Sequence, residues 1–92
     1  MEIQHSFDEK GGRFFYADYG KQLAAMTYIW AGKDRIIIDH TEVDPSLKGQ
    51  GAGNKMVAAA VDMARAKGIK IIPLCPFAKA VMTKEASYAD VM

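Results

Sequence analysis

Ninety-two residues, half of them apolar and with a formal charge of +1, make one domain over 1–92 with a modest core and no room for a second. The near-neutral balance excludes the basic excess a nucleic-acid partner requires, and no apolar run approaches the roughly 18 residues of a membrane span. With one cysteine there is no intramolecular disulfide, and Met1-Glu2-Ile3-Gln4-His5 lacks the basic and apolar regions of a signal peptide, so a reducing, cytoplasmic setting is expected.

In chain order, Glu2 to Phe7 alternates and predicts a first strand, Asp8 to Gly12 a turn, and the aromatic-rich Arg13 to Tyr19 a second strand. Gly20 to Gln22 turns the chain into a third strand, about Leu23 to Trp30, and Ala31 to Asp34 into a fourth, about Arg35 to Val43. Turns this short favour a four-stranded antiparallel meander. Strict alternation along the fourth strand places Ile36, Ile38, His40 and Glu42 on one face and Ile37, Asp39, Thr41 and Val43 on the other.

A glycine-rich segment then opens a helix from about Gly51 to Lys67, whose apolar face is Met56, Val57, Ala60, Val61 and Ala64. Gly68 suits the position just past its end. Ile69 to Leu74 predicts a buried fifth strand, parallel to the fourth because a helix separates them. Pro76 suits the first turn of a second helix, to about Lys84. The order β-β-β-β-α-β-α makes an α/β fold on a mixed five-stranded sheet.

The most informative stretch runs from Val43 to Lys55, in which Gly49, Gly51 and Gly53 alternate immediately before the first helix. Glycines there let several backbone N–H groups converge on an anion, and the helix dipole adds positive potential. Two phosphate-binding patterns fail. A nucleotide P-loop counted from Gly49 finds Asn54 at the second glycine and Met56 after Lys55, where a hydroxyl should stand. A dinucleotide fingerprint finds Asn54 or Met56 at its third glycine, counted from Gly49 or Gly51.

Lys48-Gly49-Gln50-Gly51-Ala52-Gly53 resembles the pyrophosphate-binding loop of the GNAT acetyltransferases, [Q/R]-x-x-G-x-[G/A], with Lys48 where Gln or Arg is usual. His40 to Pro45 before it, Pro73-Leu74-Cys75-Pro76-Phe77 after it, and the closing Tyr88-Ala89-Asp90-Val91 are similar to a small single-domain subgroup of that family. The resemblance covers nearly the whole chain. It implies a GNAT core without the helices between the first two strands and without the final strand pair, the parts that shape an acceptor pocket.

The resemblance implies acetyl-coenzyme A as co-substrate, held by Val43, Lys48, Gly49, Gln50, Gly51, Ala52, Gly53 and Asn54, with Cys75 and Phe77 near the thioester and pantetheine arm. Lys48 would act as a point charge rather than a fork. His40 and Glu42 stand two apart beside the loop and read either as an acid–base pair or as cross-strand polar partners. Cys75 falls where a buried strand ends and a Pro-led helix begins, a position that lowers a thiol pKa. It reads as a nucleophile able to carry the acetyl group or as a small buried hydrophobe. Tyr88 offers a phenol for the leaving thiolate. His5 has no motif around it and reads as structural. The two histidines and one cysteine form no metal-ligand cluster.

The sequence thus predicts an N-acetyltransferase moving acetyl from acetyl-coenzyme A to an amine, small molecule or protein. The rival reading is an acyl-coenzyme A-binding or protein-interaction module with little or no catalysis. An exposed edge on the fifth strand would suit a homodimer.

Overall fold

The computed structural model describes residues 1–92. Five strands form one sheet in sequential order: β1 (Gln4–Phe7), β2 (Gly11–Asp18), β3 (Lys21–Trp30), β4 (Arg35–Val43) and β5 (Lys70–Pro73). The first four pair antiparallel and β5 joins β4 in parallel. Helix α1 (Ala52–Lys67) makes the crossover, and α2 (Pro76–Lys84) follows β5. Short 3-10 turns cover Pro45–Leu47 and Ala86–Val91. No helix is long and apolar enough to cross a membrane.

The expected elements are all present, with one informative shift. Gly11 and Gly12 belong to β2 rather than to the preceding turn. A side chain at Gly11 would run into the Tyr28 carbonyl, and one at Gly12 would lie 2.5 Å from the Ser6 carbonyl. The glycines are there because neighbouring strands come too close for a Cβ, not because the chain bends.

A single core joins the sheet to both helices and the C-terminal turn. Met56, Val57, Ala60, Val61 and Ala64 are fully buried, so the predicted stripe is the seam of α1. It packs on the sheet face carrying Phe14, Met26, Tyr28, Ile36 and Ile38. On the same face His5 stacks on Phe14 at 4.2 Å and bonds the Tyr28 hydroxyl at 2.7 Å, a structural engagement. The opposite face carries no helix, and its Ile29 is 46% exposed. An antiparallel sheet tolerates such a one-sided arrangement.

The β3–β4 register slips by one residue: Thr27 pairs with His40 but Tyr28 pairs with Ile38, leaving Asp39 as an extra residue on β4. This bulge inverts the alternation beyond it. Thr41 pairs with the fully buried Met26 and so shares the helix-covered face with Ile36 and Ile38. His40 and Glu42 move to the uncovered face. The even alternation read from the sequence therefore holds only as far as Ile38.

Candidate functional site: a glycine loop beside a split between strands

The chain leaves β4 through a turn held by Asp44, whose carboxylate accepts the Ser46 N–H at 2.9 Å. That bond, aided by the Ser46 side chain, holds the Asp44 carboxyl below the usual range. Gly49 (φ +82°) and Gly51 (φ +71°) then adopt left-handed conformations that favour glycine. The first bond into α1 runs from the Lys55 N–H to the Gly51 carbonyl at 2.9 Å, which leaves the N–H groups of Ala52, Gly53 and Asn54 without an intrahelical acceptor. Gly51 has no side chain to cap them. The helix thus presents uncapped donors with its dipole behind them.

Gly53 is helical, and its role differs from that of the other two. A Cβ there would clash with the tip of the Phe77 ring, 2.6 Å from Cε2, so the start of α2 rests on the start of α1. Lys48 and Asn54 are exposed, Ala52 is buried, and the Gln50 amide bonds the Ser46 carbonyl at 3.4 Å within the loop. Asn54, Phe77, Lys84 and Tyr88 line an open groove of about 630 Å³ between the helices and the C-terminal turn.

Next to this loop the sheet splits. β4 and β5 pair from Arg35–Lys70 to Ile38–Pro73 and no further. Pro73 has no N–H to continue the ladder, and the Ile38 carbonyl takes the N–H groups of both Leu74 and Cys75 at 3.0 Å each. β4 runs on from Asp39 to Val43 with no strand on that side. The Asp44 N–H bonds the Leu23 carbonyl across β3, so alternation turns the backbone groups of Val43 and Thr41 toward the open edge.

Cys75 sits where the strands part, as the residue capping α2 just before Pro76. Its thiol is buried, and Sγ lies 3.3 Å from Thr41 Oγ1. Burial pushes the thiol pKa up. Hydrogen bonds from the Thr41 hydroxyl and from the N–H groups of Ala78, Phe77 and Thr41 outweigh it, and the net shift is downward. This is the chemistry expected of sulfur at a helix N-terminus.

The split thus gathers Val43, the glycine loop, Cys75 and Phe77. It does not gather His40 and Glu42 on the same side. They face each other, with His40 Nε2 3.4 Å from Glu42 Oε1, but both are largely exposed on the uncovered face. Thr41, which no motif singled out, replaces them against the thiol. Only the pairing of β3 with β4 reveals this, because the bulge leaves no local mark in the residue pattern.

A family model described as GCN5-related N-acetyl-transferase matches residues 13–91. The chain belongs to that family. Among solved structures, a GCN5-like candidate N-acetyltransferase from Staphylococcus aureus, determined by NMR in solution, superposes with a TM-score of 0.77 at 41% identity. The match covers 98% of this chain and 85% of that one. The crystal structure of a ribosomal-protein alanine N-acetyltransferase from Escherichia coli (TM-score 0.68, covering 85% of this chain) shares the fold at 19% identity. So does an IAA acetyltransferase from Bacillus cereus (TM-score 0.63, covering 82% of this chain) at 19% identity. This chain spans 53% of the length of each of these two. No curated protein sequence is significantly similar to the chain.

Proposed function

We propose that this GNAT-family protein binds acetyl-coenzyme A and transfers its acetyl group to an amine. The observation that carries this reading is the split between β4 and β5 opening directly beside an uncapped, glycine-lined helix N-terminus. The residues present fit the co-substrate. Lys48 and the Gly49–Asn54 backbone suit its pyrophosphate, the free edge at Val43 suits the amides of the pantetheine arm, and Phe77 offers an apolar wall. The thioester would then lie against Cys75.

In this reading Cys75, as thiolate, bonds the acetyl carbonyl carbon while the carbon–sulfur bond to coenzyme A breaks, and the departing thiolate takes up a proton from solvent. The amine nitrogen then attacks the acetyl carbon, its proton passes to solvent, and the Cys75 thiolate is restored. His40 and Glu42, open to solvent on the uncovered face, lie across the sheet from the thiol and take no part in this route.

A second reading, an acyl-coenzyme A-binding module without turnover, draws on the same uncovered face: no helix builds an acceptor pocket there. One experiment separates the outcomes. Thermal unfolding with acetyl-coenzyme A reports binding, because a ligand for the folded state alone raises Tm by mass action. Release of free coenzyme A with a panel of small amines and peptides reports transfer. Binding with transfer supports the enzyme, binding alone the module, and neither overturns both.

A further inference from the structure

We propose that Thr41 is a positioning residue for the Cys75 sulfur: its hydroxyl, carried onto the helix-covered face by the Asp39 bulge, holds and stabilises the thiolate. The inference rests on the reading of Cys75 as the acetyl-accepting group.

The geometry is specific. Sγ and Oγ1 stand 3.3 Å apart across a sequence separation of 34 residues. A hydroxyl both donates and accepts, so it takes the thiol proton as acceptor and rotates to donate once the sulfur is ionised. The Thr41 N–H turns toward the same open edge, beside the sulfur that its hydroxyl contacts. The uncapped N–H groups of the first turn of α2 lie just beyond Cys75 and favour its thiolate. The sulfur thus sits where a strand meets a helix N-terminus, with the Thr41 hydroxyl as its hydrogen-bond partner.

Charged groups play no part in this arrangement. On β4, Asp39 bonds the Thr27 hydroxyl at 2.6 Å, while His40 and Glu42 lie on the opposite face. On α2, Lys79 and Lys84 are exposed, and from β5 Lys70 reaches the Asp90 carbonyl. On α1, Lys55 and Asp62 are exposed. None of these charges contributes to the lowered thiol pKa.

The chain has a single cysteine, so thiolate absorbance near 240 nm, corrected with Cys75→Ser for tyrosine ionisation, reports this sulfur alone. Alkylation by iodoacetamide across pH gives an independent profile. Thr41→Val keeps the shape and removes the hydroxyl. It is expected to move both profiles to higher pH and to slow alkylation near neutrality about tenfold, in line with a lost hydrogen bond to a charged group. Thr41→Ser is expected to restore the wild-type profile.

With saturating acetyl-coenzyme A, Thr41→Val should lower kcat while leaving the Kd of coenzyme A unchanged. Profiles that coincide for wild type and Thr41→Val overturn the proposal. So does a failure of Thr41→Ser to restore them, because the methyl packing would then be what matters. If Thr41→Val does not fold, Thr41→Ala is titrated against Thr41→Ser with the same two outcomes. The titrations need no acetyl-coenzyme A, so they stand or fall separately from the transfer reaction.

Discussion

The Phe77 ring, at the start of α2, occupies the space that a Cβ on Gly53, at the start of α1, would need. Gly53→Ala therefore has opposite effects in two backgrounds. In the wild type it displaces the ring and costs about 1–3 kcal/mol, the range for overpacking. In Phe77→Ala the clash is gone, and the same substitution is neutral or gains up to about 1 kcal/mol from helix propensity. A double-mutant cycle in urea measures the coupling. Equal effects in both backgrounds would show that the ring does not rest on Gly53.

Gly51 meets no such obstruction; its constraint is the left-handed backbone. Gly51→Ala is expected to cost about 1–2 kcal/mol. Gly51→Asn should be better tolerated, since Asn accepts that conformation and caps helices. Both are expected to lose acetyl-coenzyme A affinity in calorimetry, Asn because its side chain would occupy the donors the ligand needs. Undiminished affinity in folded Gly51→Asn places the anion elsewhere. Lys48→Ala is expected to weaken binding mainly at low salt, as befits an exposed charge.

Incubation with acetyl-coenzyme A alone is expected to leave an acetyl group on Cys75, detectable by mass spectrometry and cleaved by hydroxylamine. Cys75→Ser should lose most of the label and keep coenzyme A affinity, because a hydroxyl ionises far less readily than a thiol. An unlabelled wild type that still transfers acetyl at full rate in Cys75→Ala makes direct attack by the amine the mechanism, with His40 or Glu42 as base.

The C-terminal turn is tied to α1 by a two-pronged contact. Arg65 Nε and Nη2 reach the two Asp90 carboxylate oxygens at 2.9 and 2.8 Å, and Nη2 also bonds the Ser87 carbonyl at 2.6 Å. The hydrogen bond to Arg65 holds the Asp90 carboxyl below its usual value. A depressed carboxyl stabilises above its unfolded pKa, near about 4, and the contribution disappears as pH falls through the lower folded value. The protection factors for hydrogen exchange over Ala86–Val91, corrected for the intrinsic pH dependence of exchange, should therefore fall on acidification in the wild type. In Asp90→Asn protection should be lower near neutrality and less dependent on pH. An identical pH response in both would exclude this pair as the tie.

Local pattern carried much of the fold. The α1 stripe, the glycine loop and Pro76 at the start of α2 were legible because each is written in neighbouring residues. Long-range contacts were not. The Asp39 bulge depends on how β3 registers against β4, and a one-residue slip leaves Ile38-Asp39-His40-Thr41 looking like any alternating strand. Gly11 and Gly12 read as a turn because glycine is the commonest turn residue. Their actual role, admitting Tyr28 and Ser6 at close range, exists only once three strands are side by side. Thr41 went unnoticed for the same reason: its partner lies 34 residues away.

One unpaired residue in β4 has a consequence for how this surface can change over evolutionary time. Because Asp39 shifts the alternation by half a repeat, it is His40 that is washed by solvent and Thr41 that lies half-buried beneath the helices. Substitutions on the washed side meet few packing constraints, while the covered side stays under the constraints of a packed interior. A lineage built on this frame can therefore diversify its clientele without rebuilding the machinery beneath.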